Sequence, residues 1–257
     1  MLGAIAGDII GSIYEGNNIK TTDFPLFSKA CTFTDDTVLS VAIADCILNG
    51  GSYRDKLKEY YRYYPYAGFG GHFQIWAASD ELEPYYSFGN GAAMRVSPVG
   101  FAFDGLERVL EEAKKSAGVT HNHPEGIKGA QATASAVFLA KIGQSKADIR
   151  TYIEDTFVYN LDDTVENLQK SYTFEISCQG TVPQSIIVFL ASSDFEDAIR
   201  KAISIGGDSD TIACIVGGIA HAHYKNIPKF IQSRVYEILD AHLRRITTEF
   251  VDKYCQF

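Results

Sequence analysis

The stretch FTDDTVLSVAIADCIL, residues 33–48, and the stretch GGDSDTIACIVGGIA, residues 206–220, share one pattern. In each of them a short cluster of acidic and hydroxyl residues precedes an apolar run that has helical spacing and no polar face. A helix that is apolar on all sides belongs at the centre of a domain, because none of its faces suits contact with water. The two stretches therefore predict two central helices, around which the rest of the chain packs.

Helical spacing of apolar residues also runs through most of the remaining chain, and sustained alternation of apolar and polar residues is almost absent. This pattern predicts a single, compact all-α domain over residues 1–257. Pro124, Pro183 and Pro228 are expected to open helices, since the first helical position needs no amide hydrogen. One short stretch, Tyr172–Cys178, has the composition of a strand. The predicted helices are Gly3–Ile13, Asp35–Leu48, Tyr53–Tyr64, Gly71–Ala78, Leu106–Ala117, Glu125–Ile142, Lys146–Phe157, Thr164–Lys170, Pro183–Leu190, Phe195–Ile203, Thr211–Tyr224 and Pro228–Tyr254.

Glycine recurs every fourth residue in the first predicted helix, at Gly3, Gly7 and Gly11. Glycine inside a helix lowers stability, so a stripe of glycines on one face indicates a neighbouring helix that passes unusually close. Tight packing is a sufficient explanation, and we assign these three residues no ligand.

The charge and the cysteine content of the chain argue against several classes of protein. The chain has 257 residues, 46% of them hydrophobic, and a formal net charge of −9. Such an acidic protein has no general attraction for a nucleic-acid backbone or an anionic membrane. Its five cysteines are scattered without CxxC spacing, which predicts free thiols rather than a disulfide framework. With no signal-peptide pattern and no apolar run of membrane-spanning length, we predict a cytoplasmic, monomeric protein.

The acid clusters before the two apolar helices are the strongest functional signal. They read Thr34-Asp35-Asp36-Thr37 and Asp208-Ser209-Asp210-Thr211. Helix capping explains either cluster alone, because Asp, Ser and Thr bind the free amides of a first helical turn. Capping needs about one such residue per helix, however, and each helix here begins with two carboxylates. If the two helix ends meet, the carboxylates repel one another, and divalent cations with hard oxygen ligands relieve that repulsion. Together the clusters favour a metal site.

Two glycine-containing segments precede predicted helices, at residues 67–71 (AGFGG) and 87–91 (SFGNG). Glycine loops at helix N-termini can present backbone N–H groups to phosphates, although ordinary turns have the same composition. The sequence Thr120-His121-Asn122-His123 contains a possible zinc-ligand pair, but no cysteine or further histidine lies nearby. Hydrogen bonding at a helix entrance is the favoured role for these histidines.

Five motifs occur in an order that resembles the ADP-ribosylglycohydrolase family. They are GAIAGDIIGSIYEG (3–16), FTDDTVLSVAIADCIL (33–48), FGNGAAMRVSPVG (88–100), THNHPEGIKGAQATASAVFLA (120–140) and GGDSDTIACIVGGIAHA (206–222). The resemblance implies an all-α fold with two divalent cations, Mg²⁺ or Mn²⁺, bound between the two acid clusters. It also implies cleavage of the glycosidic bond between ADP-ribose and an attached group, which is a modified protein side chain or a small conjugate.

The resemblance further implies roles for individual residues. Asp210 corresponds to a ligand that bridges the two cations. Asp36 is the favoured base for orienting water, Glu15 is the second candidate, and Asp35 is a third. The residues expected to hold the cations are Thr34, Asp35, Asp36, Asp208, Asp210 and Thr211. Those expected to contact the diphosphate and adjoining ribose are Gly68, Phe69, Gly70, Gly71, Ser87, Phe88, Gly89, Asn90 and His121.

Two other functions remain open on the sequence. A catalytically inactive relative, similar to the lens crystallins of this family, has no reason to keep metal ligands, and all the expected ligand types are present here. A metal-dependent nucleotide pyrophosphohydrolase would use the same residues but release AMP. The chain lacks the longer insertions of larger relatives, so the leaving group can be arginine, serine, an acetyl group or a nucleobase.

Overall fold

Helices are the regular elements of this computed structural model, which describes residues 1–256. A single antiparallel bridge joins Gly89 to Ser177, and the described residues contain no strand beyond it. The helices are α1 (Leu2–Gly11), α2 (Asp35–Asn49), α3 (Tyr53–Tyr63), α4 (Gly71–Ala78), α5 (Gly91–Met94), α6 (Ser97–Ala102), α7 (Leu106–Gly118), α8 (Pro124–Lys141), α9 (Lys146–Phe157), α10 (Val165–Ser171), α11 (Cys178–Ala191), α12 (Phe195–Ser204), α13 (Ser209–Tyr224), α14 (Lys229–Ile238) and α15 (Ala241–Tyr254).

The all-α prediction is confirmed, and the two apolar helices are buried as expected. In α2 every residue from Asp36 to Cys46 is buried, and in α13 every residue from Ser209 to Ala222 is buried. The five cysteines are also buried and form no disulfide. Within residues 1–256, no helix is both long enough and apolar enough to cross a membrane.

The predicted strand at Tyr172–Cys178 is wrong. Cys178 begins α11, and the preceding residues form an extended connection. This connection contacts the fold through the bridge at Ser177 and through a hydrogen bond from Lys20 Nζ to Tyr172 O at 2.8 Å. Pro183 does not open this helix either, but lies buried within it. The serine hydroxyl of Ser177 supplies the N-cap by accepting a hydrogen bond from Gly180 N at 3.1 Å. Phe174 and Ile176 give the segment the composition of a strand, but both side chains are exposed at the cleft instead of packing in a sheet.

The long helix predicted at Pro228–Tyr254 is two helices. Asp240 interrupts it, because its carboxylate accepts hydrogen bonds from His242 N and Leu243 N, each at 2.9 Å, and so begins α15. After the second glycine-containing segment the sequence indicated a helix without bounds, and the structure has two short helices there, α5 and α6, since segments of four and six residues carry too little periodicity to delimit.

The glycine stripe of α1 packs directly against α13, as its spacing predicts. A Cβ atom placed on Gly7 would lie 1.9 Å from the carbonyl oxygen of Ala213, and one on Gly3 would lie 2.2 Å from that of Gly217. A Cβ on Gly11 would lie 2.6 Å from the Cα of Asp210. The two backbones are therefore in contact along the whole length of α1, which brings its carboxyl end to the beginning of α13.

Replacement of Gly7 by alanine tests this contact. The added methyl group cannot fit without separating α1 from α13, so Gly7→Ala should lower the free energy of unfolding by about 3 kcal/mol or more. Gly118→Ala is the matched control, because a Cβ at Gly118 meets nothing within 4 Å. Its stability should stay unchanged or rise slightly, since alanine favours the helix. Urea unfolding of both variants measures the difference, and equal stabilities would contradict the backbone contact.

Candidate active site

The beginnings of α2 and α13 meet, although the two acid clusters are far apart in the chain. The hydroxyl of Thr211 donates a hydrogen bond to Asp36 Oδ2 at 3.1 Å across 175 residues of sequence. Carboxylate oxygens of Asp8, Asp36 and Asp210 lie within 4.8 Å of one another, and so do those of Glu15, Asp208 and Asp210. The tertiary structure thus brings together the acids that the sequence pairs.

Capping does not account for these carboxylates. The N-cap of α2 is Thr34, whose hydroxyl accepts a hydrogen bond from Asp36 N at 3.3 Å, so neither aspartate of this cluster is the cap. Asp208 occupies the N-cap position of α13 but makes no side-chain cap hydrogen bond. Its Oδ2 instead accepts a hydrogen bond from the Asn90 side-chain amide at 2.7 Å. The acids therefore exceed what the helix ends require.

Asp8 is a buried member of this cluster that the sequence analysis did not identify as a site residue. Its Oδ1 accepts a hydrogen bond from the Thr34 hydroxyl at 2.6 Å, and its Oδ2 accepts from Thr34 N at 3.0 Å and Thr37 N at 3.1 Å. The Thr37 hydroxyl donates to the same oxygen. The sequence signal for this residue was an aspartate in the middle of an otherwise apolar helix. Asp8 fixes the first turn of α2 relative to α1.

Burial raises the pKa of every aspartate in the cluster, and the charges of neighbouring carboxylates add to this effect for Asp35, Asp36 and Asp210. Burial raises the pKa of Asp36 well above its ordinary value, and the charge of Asp210 adds to this effect. Burial likewise raises the pKa of Asp210, with Asp208 as the next contributor. Burial, followed by the charges of Asp8 and Asp208, raises the pKa of Asp35 to about 8. Together the carboxylates are unfavourable as anions unless positive charge lies among them.

The donor set fits divalent cations. Asp36 Oδ1 is buried and has no hydrogen-bond partner, which leaves an oxygen free to act as a ligand. The cleft above the cluster has a volume of about 320 Å³ and is lined by five acidic residues but only one arginine, Arg95. Carboxylate and hydroxyl oxygens are the ligands that Mg²⁺ and Mn²⁺ prefer.

Glu15 lies at the exposed edge of the cluster, on the loop that follows α1. Asn18 holds this loop against the turn before Asp208: its amide nitrogen donates to Gly207 O at 2.9 Å, and its amide oxygen accepts from Gly207 N at 2.7 Å. Partial desolvation, followed by the charge of Asp208, raises the pKa of Glu15. Glu15 is therefore the solvent-accessible carboxylate among the acids that meet here.

Both glycine-containing segments line the cleft, but the side chains of Ala67, Phe69 and Phe88 do not. Phe69 is buried and stacks on Phe73 at a ring separation of 5.2 Å, so its side chain does not face the cleft. Phe88 is 48% exposed and lies 5.3 Å from the ring of His123, outside the lining. The predicted residues that do line the cleft are Glu15, Thr34, Asp35, Asp36, Gly68, Gly70, Gly71, Ser87, Gly89, Asn90, His121, Asp208, Asp210 and Thr211.

The two histidines of the Thr120–His123 motif have different environments. His123 is the N-cap of α8, where its Nδ1 accepts a hydrogen bond from Glu125 N at 3.1 Å, as its place at a helix entrance predicts. His121 is buried beside the cleft. A Cβ atom placed on Gly89 would lie 3.5 Å from its Nε2, and one placed on Gly91 would lie 3.2 Å from it. Cleft-lining residues that the sequence analysis did not single out are Leu39, His72, Phe73, Tyr85, Gly91, Met94, Arg95, Phe174 and Ile176.

Comparison with known proteins identifies the family. The family model described as ADP-ribosylglycohydrolase matches residues 1–256. The chain therefore belongs to the ADP-ribosylglycohydrolase family.

Three relatives and one solved structure agree with this assignment. ADP-ribosylhydrolase ARH3 of Xenopus tropicalis is 25% identical over 300 residues, which cover 87% of this chain and 85% of the relative. The human ARH3 is 26% identical, with coverage of 87% and 84%. ADP-ribosylarginine hydrolase Tri1 of Pseudomonas putida is 23% identical, with coverage of 98% and 77%. A chain in a structure named "ADP-ribosylglycohydrolase-related protein complex" shares the fold at a TM-score of 0.73 and 22% identity, with coverage of 98% and 96%.

The raised pKa values predict how one aspartate affects stability at different pH. In the folded, cation-free protein Asp36 stays protonated at pH values where it ionises in the unfolded chain. Its contribution to the free energy of unfolding therefore falls as the pH rises above about 4. Asparagine imitates the protonated acid, so Asp36→Asn should raise the melting temperature of chelator-treated protein, and by more at about pH 8 than at about pH 5. Thermal melting at the two pH values measures this difference.

The control for that comparison is Asp104→Asn, which replaces a fully exposed carboxylate outside the cleft. It should leave the melting temperature unchanged at both pH values. A gain from Asp36→Asn that shrinks toward high pH would contradict the direction of the Asp36 pKa.

Proposed function

We propose that this protein is a divalent-cation-dependent hydrolase that cleaves the glycosidic bond between ADP-ribose and an attached group. The observation that carries the proposal is the meeting of two distant acid clusters beneath a cleft that two glycine-containing segments line. The hydrolase class agrees with the family, and the names of the relatives give the substrate class.

We assign the ligands of two cations, Mg²⁺ or Mn²⁺, to the acid clusters. Thr34, Asp35 and Asp36 would hold one of them, Asp208 and Thr211 the other, and Asp210 would bridge the two. The unpartnered Asp36 Oδ1 and the raised pKa of each aspartate support this assignment. When bound, the cations supply Lewis acidity and orient the hydroxyl groups of the sugar.

The diphosphate of ADP-ribose would bind through backbone N–H groups rather than through basic side chains. Gly70 is the N-cap of α4, and Gly71 is its first residue, so the free amides of this helix point toward the cleft. Gly68, Gly89 and the Asn90 side chain border the same space. A cleft with five acids and one arginine offers an anion few other donors, which favours this mode of binding.

Burial of Asp36 changes the expected choice of catalytic base. The sequence favours Asp36, but this residue is 2% exposed and its Oδ2 accepts a hydrogen bond from Thr211. Glu15 is exposed, and partial desolvation raises its pKa, which makes it a stronger base than an ordinary glutamate. We therefore propose Glu15 as the residue that accepts the proton of the attacking water. Asp35 and Asp36 then act as ligands, and neighbouring carboxylates stabilise the oxocarbenium-like transition state.

The reaction product distinguishes the proposed hydrolase from the two alternatives, a nucleotide pyrophosphohydrolase and an inactive relative. The purified protein is incubated with Mg²⁺ or Mn²⁺ and with ADP-ribose attached to arginine, serine, acetate or a nucleobase, and a chelator-treated sample is the control. Release of ADP-ribose that stops with the chelator supports the proposal. Release of AMP identifies a pyrophosphohydrolase, and no product with any substrate identifies an inactive relative.

Substitution of the proposed bridging ligand tests the metal assignment. Asp210→Asn removes one of several repelling carboxylates, so the fold should persist while turnover and Mn²⁺ affinity fall. The losses should exceed the about 10- to 100-fold typical of a residue that only orients a ligand. Asp104→Asn is the control, with turnover and affinity unchanged. Calorimetric titration with Mn²⁺ measures affinity, and an unchanged Mn²⁺ affinity in Asp210→Asn would exclude the bridging role.

A side chain at Gly70 tests the proposed diphosphate site. Gly70 has φ of −60° and a Cβ there meets nothing within 4 Å, so valine fits the backbone and projects into open space. Only Gly68 in this segment needs glycine for its backbone, with φ of +95°. Gly70→Val should weaken ADP-ribose binding at least about 10-fold by crowding the ligand, and should leave Mn²⁺ affinity unchanged.

Gly118→Val is the matched control, because Gly118 also has open space around its Cβ position and lies outside the cleft. Calorimetric titration with ADP-ribose and, separately, with Mn²⁺ distinguishes the two effects. A folded Gly70→Val protein that binds ADP-ribose with full affinity would remove this segment from the site.

A further inference from the structure

Arg95 is a buried arginine without a carboxylate partner among residues 1–256. It follows α5, its side chain is fully buried, and its guanidinium group borders the cleft. Nη2 donates hydrogen bonds to the carbonyl oxygen of Ser116 at 3.2 Å and to the hydroxyl oxygen of Thr120 at 2.7 Å. Burial of an unpaired guanidinium is costly, so its contacts call for a functional explanation.

The contact with Thr120 continues to His121. Thr120 Oγ1 lies 2.7 Å from His121 Nδ1. Arginine has only donors, so the Thr120 oxygen must accept from Arg95, and the hydroxyl proton remains available for a second neighbour. The ring nitrogen of His121 is within hydrogen-bond distance of that proton. The chain of contacts therefore has a direction, from Arg95 through Thr120 to His121.

We propose that Arg95 and Thr120 are positioning residues that hold His121 in the neutral tautomer with its proton on Nε2. Thr120 donates its hydroxyl proton to Nδ1, which makes Nδ1 the acceptor nitrogen. The only proton on the ring is then at Nε2.

In this tautomer the proton on Nε2 is available to a ligand oxygen in the cleft. Nε2 lies beside Gly89 and Gly91, and a Cβ atom placed on these residues would lie 3.5 Å and 3.2 Å from it. Because glycine has no Cβ atom, this space is left for a ligand oxygen. Burial, followed by the positive charge of Arg95, lowers the pKa of His121 well below its ordinary value. His121 is thus a neutral hydrogen-bond donor to a phosphate or ribose oxygen, and it does not supply the proton for the leaving group. This ligand identity rests on the proposed function, whereas the tautomer does not.

Tyr85 offers a competing arrangement. Its ring centroid lies 6.0 Å from that of His121, and a side-chain hydrogen bond with Thr120 lowers its pKa against the larger effect of burial, which raises it to about 12. If Thr120 donated its proton to Tyr85, Nδ1 of His121 would carry the ring proton and donate to Thr120. Nε2 would then present a lone pair to the ligand, which repels an anionic oxygen. The two arrangements therefore differ in the position of one proton.

Nitrogen NMR of the histidine side chains distinguishes them. Long-range proton–nitrogen correlation spectra of 15N-labelled protein, without ligand, should show His121 with a protonated Nε2 and an unprotonated Nδ1. The His121→Gln spectrum assigns the resonances among the six histidines. The pattern should persist between about pH 6 and 8, because the ring stays neutral. A protonated Nδ1 in the wild-type protein would overturn the proposal.

Two substitutions at Thr120 separate positioning from packing. Thr120→Val keeps the shape but removes the hydroxyl, so His121 should show a mixture of tautomers and ADP-ribose affinity should fall about 3- to 10-fold, with Mn²⁺ affinity unchanged. Thr120→Ser keeps the hydroxyl and should restore both the single tautomer and the affinity. A Thr120→Val protein that retains the Nε2-protonated form alone would refute the role of Thr120.

Arg95→Met tests the first member of the chain, with melting temperature as the check on folding. A mixture of His121 tautomers in the folded variant supports the role of Arg95, and a single unchanged tautomer removes Arg95 from the proposal. The tautomer is measured without substrate, so its failure is separate from failure of the proposed function. If the spectra agree with the proposal but wild-type protein binds no ADP-ribose, then the function is wrong and the tautomer assignment stands.

Discussion

Backbone contact between α1 and α13 determines where the acids of the site lie. Because three glycines of α1 carry no side chain, its carbonyl groups and Cα atoms reach those of α13 directly. Asp8 follows Gly7 in α1, and Gly11 lies against Asp210, so the acids of two helices are brought into one cluster. Asp8 then holds Thr34 and Thr37, which places the beginning of α2 beside the same point. The close contact of α1 with α13 thus positions three helix ends, which are the end of α1 and the beginnings of α2 and α13.

This arrangement concentrates negative charge where water is excluded. Burial raises the pKa of each of these aspartates, and repulsion between the carboxylates adds to the effect for Asp35, Asp36 and Asp210. A structure built for stability alone would place apolar side chains or one capping residue at these positions. The cluster is explained if the protein binds cations there, since the energy lost in assembling the acids is recovered on binding. Stability without cations and affinity for them therefore oppose each other at this site.

Hydrogen bonds between distant segments connect the acid cluster to the cleft above it. The Asn90 side chain joins the second glycine-containing segment to Asp208, and the Asn18 side chain joins the Glu15 loop to Gly207. Beside the same glycine-containing segment, the hydrogen bonds from Arg95 to Thr120 and between Thr120 and His121 connect His121 to α5. These contacts join four separate parts of the chain around the space proposed for ADP-ribose. Asn18 and Thr120 contribute through the side chains and backbone groups that they hold in place.

The sequence by itself determined the fold class, the two buried helices, the close packing of the first helix and the acids at the helix entrances. Each of these depends on local spacing or on the chemistry of neighbouring residues, which a sequence displays directly. It did not reveal Asp8 and Arg95 as cluster and cleft residues, the cap at Asp240 or the start of α11 at Cys178. It also did not show that Asp36 is buried while Glu15 is exposed, which is why we propose Glu15 as the base. Those depend on which side chains are buried and which oxygen atoms already have donors. Only the tertiary structure decided them, because burial and hydrogen-bond partners arise from contacts between segments that are remote in the chain.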